Sequence, residues 1–114
     1  MKTERDMLVV DDEHVITQAV VRVCGAEGLS VDVAESAAAA TVRLQRSVYR
    51  LIICDVMMAD IDGFEFLSEL ARKRIRTPVI MSTGMSTVEN AVKALYSGAI
   101  DFIPKPFTAD ELLV

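Results

Sequence analysis

Apolar and polar positions along this chain fall into short blocks of two different periods. Met7-Leu8-Val9-Val10 is a continuous apolar run closed by Asp11-Asp12-Glu13. A run this short, bounded by acids or turn residues, predicts a strand buried on both faces of a sheet. Val15, Ile16, Ala19, Val20 and Val23 then recur at spacings of three and four, predicting a first helix that Gly28 stops. Val31-Asp32-Val33-Ala34 alternates briefly as strand two. Ser36 is placed to cap a second helix from Ala37 to about Arg46, with Val42 and Leu44 turned inward. Leu51-Ile52-Ile53-Cys54 runs straight into Asp55 and predicts strand three. After Gly63, the residues Phe64, Phe66, Leu67, Leu70 and Ala71 give a third amphipathic helix, broken by Thr77-Pro78. Val79-Ile80-Met81 is strand four and leads into Ser82-Thr83-Gly84. Ser86 and Glu89 form a capping box for a fourth helix with Val88, Ala91, Val92 and Leu95 on one face, closed by Ser97-Gly98. Ile100-Asp101-Phe102-Ile103 is strand five. Pro104-Lys105-Pro106 turns the chain, and Thr108 with Glu111 opens a last helix. That helix has room for little more than one turn before Val114, too short to be stable alone, so it is expected to continue past this point.

Strands thus recur at intervals of roughly 20 to 25 residues with a helix between each pair. Such alternation predicts an α/β fold with right-handed crossovers and a parallel sheet covered on both faces. Five strands in a doubly wound sheet predict the flavodoxin-like order 2-1-3-4-5. The 114 residues fit one domain, 1–114, with one core.

At 52% hydrophobic and 25% charged residues, the composition is that of a globular domain rather than a disordered segment. No apolar run approaches the roughly 20 residues that span a bilayer, and Met1 to Asp6 precede no signal-like apolar region. Cys24 and Cys54 both lie inside apolar segments and read as small buried hydrophobes of a reducing cytoplasm. A net charge of −5 argues against direct nucleic-acid contact, and Arg72-Lys73-Arg74 with Arg76 reads as a solvated helix end. No hydrolase triad and no phosphate-cradling glycine motif is present. The single histidine, His14, reads as a surface residue at the start of helix one.

What the predicted topology brings together is more informative. Strand one ends in Asp11 and Asp12, strand three in Asp55, strand four in Thr83, and Lys105 lies two residues past strand five. In the order 2-1-3-4-5 these strands are consecutive neighbours, and the crevice at their carboxyl ends is where open parallel sheets hold ligands. Each residue has a plainer role open to it: Asp11 and Asp12 as helix caps, Asp55 as a turn former, Thr83 as a strand-end hydroxyl, Lys105 as a surface lysine. Together they form a set of acids that would repel one another without a hard cation such as Mg²⁺. A hydroxyl and an ammonium stand beside them, able to hold a phosphoryl group on or near Asp55. Met57 and Met85 flank this site, where they would hinder water.

Four segments in order carry a family resemblance: Val9-Val10-Asp11-Asp12-Glu13; Asp55-Val56-Met57-Met58 with Asp62-Gly63; Pro78 to Gly84; and Gly98-Ala99-Ile100-Asp101-Phe102-Ile103-Pro104-Lys105-Pro106-Phe107. Over its whole length the chain resembles the receiver domain of bacterial two-component response regulators. The resemblance implies that Asp55 accepts a phosphoryl group from a sensor histidine kinase or a histidine phosphotransfer protein. It implies Mg²⁺ held by Asp11, Asp12, Asp55 and the Met57 backbone carbonyl, with Asp11 acting directly or through water. Thr83 would bond the phosphoryl group, with the Gly84 N–H nearby, and Lys105 would pair with carboxylate or phosphate. Thr83 is preferred to Ser82 because it stands five residues after Pro78 and 22 before Lys105. Phe102 occupies the aromatic switch position, and the Lys105–Pro106 bond resembles one that is cis in the family. The expected function is a phosphorylation-controlled cytoplasmic switch acting through the helix four, strand five and helix five face, with a homodimer as one outcome. It is not a turnover enzyme. Two positions depart from the pattern: Ala59 replaces the usual proline, implying a less rigid loop, and Phe102 lacks the hydroxyl of the commoner tyrosine.

Two rival functions fit the residues less well. An aspartate-nucleophile phosphatase would need a second acid just after the nucleophile, where Met57 stands two residues on, and a cap domain for which 114 residues leave no room. An interaction module that has lost phosphorylation would not need the acid, hydroxyl and lysine set.

Overall fold

The computed structural model describes residues 2–58, 60–83, 92, 93, 96 and 98–104. In chain order its elements are β1 (Thr3–Val10), α1 (His14–Ala26), β2 (Val31–Ala34), α2 (Ala37–Arg46), β3 (Ser47–Asp55), α3 (Gly63–Arg72), β4 (Val79–Thr83) and β5 (Asp101–Pro104). The strands form one parallel sheet in the order β2-β1-β3-β4-β5, as the alternation predicts. Residues 92, 93 and 96 are helical; the rest of predicted helix four, and all of helix five, lie outside the described residues.

Alternate side chains of the strands point to opposite faces. Leu8, Val10, Ile52 and Cys54 pack with α2 and α3 through Ala40, Leu44, Phe66 and Leu70. Met7, Val9 and Ile53 pack on the other face with Val20 and Cys24 of α1. Both cysteines are buried, and neither is in a disulfide.

β1 and β3 start four residues earlier than their apolar runs predict. Thr3 pairs with Ser47 and Arg5 with Tyr49, in register with Val10 and Cys54 further along. The extension is polar, and what stabilises it is tertiary. The Tyr49 hydroxyl donates to Asp32 (2.7 Å), and Arg5 donates to both oxygens of the same carboxylate (2.8 and 3.2 Å). Burial pushes the Tyr49 phenol up, and with the Asp32 charge beside it the value reaches about 12. Burial also pushes the Asp32 carboxyl up, but its bonds to Arg5 and Tyr49 prevail and hold it below its ordinary value.

α1, α2 and α3 lie where predicted, with corrections to their inner faces. α1 buries Thr17, Val20 and Cys24, while Val15 is 81% exposed. At 100° per residue Val15 lies about 160° round the helix from Thr17. Thr17 can be buried because its hydroxyl donates to the His14 carbonyl (3.1 Å). α2 likewise buries Ala37, Ala40 and Leu44, and Val42 faces out. Ala71 and Val92, also predicted inward, are exposed. Gly28 ends α1 as predicted, with φ +83°, and the Leu29 N–H bonds the Cys24 carbonyl (3.1 Å). α3 ends before Thr77-Pro78: Arg74 takes a left-handed φ of 58°, and the Ile75 N–H returns to the Leu70 carbonyl (3.0 Å).

Candidate functional site

The sheet order reverses direction between β1 and β3, and the ends of these two strands carry the acids. In parallel pairing Val10 lies beside Cys54, so the next residues, Asp11 and Asp55, emerge together. Both are nearly buried, 2% and 5% exposed. Each carboxylate engages the backbone two residues on: Asp11 Oδ1 accepts from the Glu13 N–H (2.9 Å), and Asp55 Oδ1 from the Met57 N–H (3.3 Å). A short acid can bond its own following turn in this way, which orients it and offsets part of its burial.

Carboxylate oxygens of Asp11, Asp12, Glu13 and Asp55 all lie within 4.8 Å of one another. At that separation two buried like charges repel by about 3 kcal/mol at an effective dielectric near 20. A divalent cation with a preference for oxygen ligands relieves this repulsion, and the donor set is all hard oxygen. The sequence places Asp11, Asp12 and Asp55 here; it does not single out Glu13. Glu13 occupies the N-cap position of α1, and its carboxylate lies with those of the other three acids. The signal was its adjacency to Asp11-Asp12, which read equally well as a favourable helix-start charge.

The loop from β3 to α3 closes the site. Its start is fastened by the Val56 N–H to the Ser82 carbonyl (3.0 Å), and its neck by the Gly63 N–H to the Val56 carbonyl (2.7 Å). Gly63 is required by space: a Cβ there would overlap the Asp55 carbonyl oxygen and come 2.6 Å from Met81 Cε. Asp62 caps α3 by accepting from the Glu65 N–H (2.8 Å). Met57 is 61% exposed at the rim, while Met85 lies outside the described residues.

Thr83 closes β4 beside Pro104 of β5. Lys105, the Gly84 amide and the Lys105–Pro106 bond lie outside the described residues. Phe102 pairs with Met81 and is half-buried, packed against the α2–α3 side of the core. Ser82, beside Asp55, is buried, and its hydroxyl has no hydrogen-bond partner among the described residues. His14 is exposed on α1, 3.8 Å from Glu35.

A doubly wound α/β domain with paired acids at its switch point is the architecture of receiver-type signalling domains. The family model of the response regulator receiver domain matches residues 7–114, and the chain belongs to that family. It is 38% identical over 106 residues to the transcriptional regulatory protein TcrA of Mycobacterium tuberculosis, covering 93% of this chain and 42% of TcrA. The chain therefore spans less than half the length of the curated relatives it matches. Among solved structures, the receiver domain of the Francisella response regulator 1452 superposes with a TM-score of 0.89 at 33% identity, over 96% of this chain and 90% of that one. The beryllofluoride-activated NtrC4 receiver domain, solved as a dimer, gives 0.88 at 34% identity, over 95% and 89%. Among the described residues no helix is long and apolar enough to cross a membrane.

Proposed function

We propose that residues 1–114 act as one receiver unit whose Asp55 carries the phosphoryl group of a two-component signal. The observation that supports this most is the buried Asp55 carboxylate within 4.8 Å of the oxygens of Asp11, Asp12 and Glu13. The residues fit Mg²⁺, which Asp11, Asp12, Asp55 and the Met57 carbonyl would hold. When bound, the ion neutralises charge at the acids and at the incoming phosphoryl oxygens.

An Asp55 carboxylate oxygen attacks phosphorus in line with the phosphohistidine nitrogen. The N–P bond breaks, an O–P bond forms, and the imidazole keeps the electron pair of the broken bond. The Met57 N–H at Asp55 Oδ1 helps to orient the carboxylate. Thr83 donates to the transferred phosphoryl group, and Lys105 pairs with its charge. Phe102, packed on the core edge, shifts with that rearrangement and alters the surface around β5. The donor is a histidine kinase or a histidine phosphotransfer protein, the output is a partner domain or a second copy of this chain, and the setting is the cytoplasm. The domain binds neither nucleic acid nor membrane itself, and it is a switch rather than a turnover enzyme.

Asp55→Asn is expected to abolish acid-labile labelling by acetyl phosphate in the presence of Mg²⁺, while keeping the fold by circular dichroism. Labelling that persists in the folded variant refutes the assignment. In the unchanged protein, Mg²⁺ and beryllofluoride together are expected to raise the melting temperature more than either alone.

A further inference from the structure

The first turn of α2 contains no acid, and Ser36 supplies only one cap, accepting from the Ala39 N–H (3.1 Å). The N–H groups of Ala37 and Ala38 are helix-start donors that α2 itself cannot satisfy. Both are taken by a residue more than twenty positions downstream. Asp60 Oδ1 accepts from Ala37 (3.2 Å) and Oδ2 from Ala38 (3.0 Å), while Oδ1 also accepts from the Ile61 N–H (2.9 Å). Burial pushes the Asp60 carboxyl up, and these three backbone donors outweigh it and hold it below its ordinary value. The positive end of the α2 dipole favours the same ionised form.

Asp60 sits in the outer half of the loop from β3 to α3. Among the described residues, its bonds are the hydrogen bonds that join that half to another element. Met57, whose N–H is on the Asp55 carboxylate, lies three residues before it. Ala59, directly before Asp60, offers none of the backbone restriction of a proline. With no proline there, the fork between Asp60 and α2 is what ties this part of the loop to a neighbouring element among the described residues.

We propose that Asp60 is a positioning residue for phosphorylation: by clamping the loop to the N-terminus of α2 it holds Met57 in the arrangement that receives Mg²⁺. This rests on the reading of Asp55 as phosphoacceptor. Capping and positioning are separable, because Ser36 caps the same helix through the Ala39 N–H and, among the described residues, makes no hydrogen bond to the loop.

The test compares Asp60→Ala with Ser36→Ala in the full chain. Both lose a cap of α2, and both are expected to melt a few degrees lower. Only Asp60→Ala is expected to weaken Mg²⁺ binding by calorimetry, about tenfold, since groups that orient a ligand commonly carry tenfold or more. Its labelling by acetyl phosphate is expected to slow at low Mg²⁺ and recover at saturating Mg²⁺, a rise in the metal requirement rather than a fall in the maximal rate. Without any metal, ¹⁵N relaxation order parameters at Met57 and Met58 are expected to fall from about 0.85 to below about 0.7 in Asp60→Ala and to hold in Ser36→Ala. Equal Mg²⁺ affinity in Asp60→Ala and the unchanged protein overturns the proposal, as does equal weakening by Ser36→Ala. So does an unchanged order parameter, which stands whether or not the domain is phosphorylated. An unchanged protein that neither binds Mg²⁺ nor labels refutes the phosphoacceptor reading itself, while the relaxation result still decides the clamp.

Discussion

Replacing Gly63 by alanine adds a single methyl group at a crowded point behind Asp55, the proposed phosphoacceptor. That methyl would overlap the carbonyl oxygen of Asp55, approach Met81 Cε to 2.6 Å and come 3.1 Å from Val56 Cα. Two of these neighbours are backbone, and Met81 is fully buried, so none can move aside freely. Overpacking of this kind costs about 1–3 kcal/mol, and the helix-propensity gain from glycine to alanine, at most about 1 kcal/mol, is small at the first helical residue. A net loss of about 1–2 kcal/mol is expected, read as a lower urea midpoint with an unchanged slope. The shift is delivered to the Asp55 backbone, so the labelling rate is expected to fall about tenfold or more even where the variant is fully folded. Gly25→Ala is the control: apart from its chain neighbours and the local helix backbone, no described atom lies within 4 Å of a Cβ there, and α1 is expected to gain up to about 1 kcal/mol. If Gly63→Ala is as stable and as readily labelled as the unchanged protein, the packing argument is wrong.

Tyr49 holds its proton up to about pH 12 in the fold and to its ordinary 10.0 when unfolded, so its contribution is present below about pH 10 and lost between pH 10 and 12. Tyr49→Phe is expected to be less stable at neutral pH and to lose less stability across that alkaline window, followed by urea unfolding; parallel losses in both proteins would contradict this. At the acid end the sign reverses. Asp32 is held below 3.8, so its contribution is present above that value and disappears as pH falls through the lower folded one. Asp12→Ala is expected to weaken Mg²⁺ binding at least tenfold by calorimetry, and an unaltered affinity would remove Asp12 from the proposed metal site.

The sequence by itself determined the sheet. Short, largely apolar runs recurring with a helix pattern between each pair satisfy their backbone and bury both faces as parallel strands under crossover helices. The acids at Asp11 and Asp55 were legible for the same reason, since the strand ends position them before any contact is known. Helix stops at Gly28 and caps at Ser36 were local chemistry and could be read locally. Tertiary structure decided the rest. The polar halves of β1 and β3 became strand because Arg5, Asp32 and Tyr49 meet across three strands, a contact with no trace in periodicity. Val15 and Val42 were apolar at plausible spacings, but the faces of α1 and α2 that met the sheet were set by Thr17, Val20, Cys24 and by Ala37, Ala40, Leu44. Glu13 joined the acids, and Asp60 reached α2, because chain segments far apart in sequence came within hydrogen-bonding or coulombic range only after the sheet had assembled. Periodicity reports which side of an element is apolar; which polar groups then share a site depends on the register and packing of elements that the local pattern does not encode.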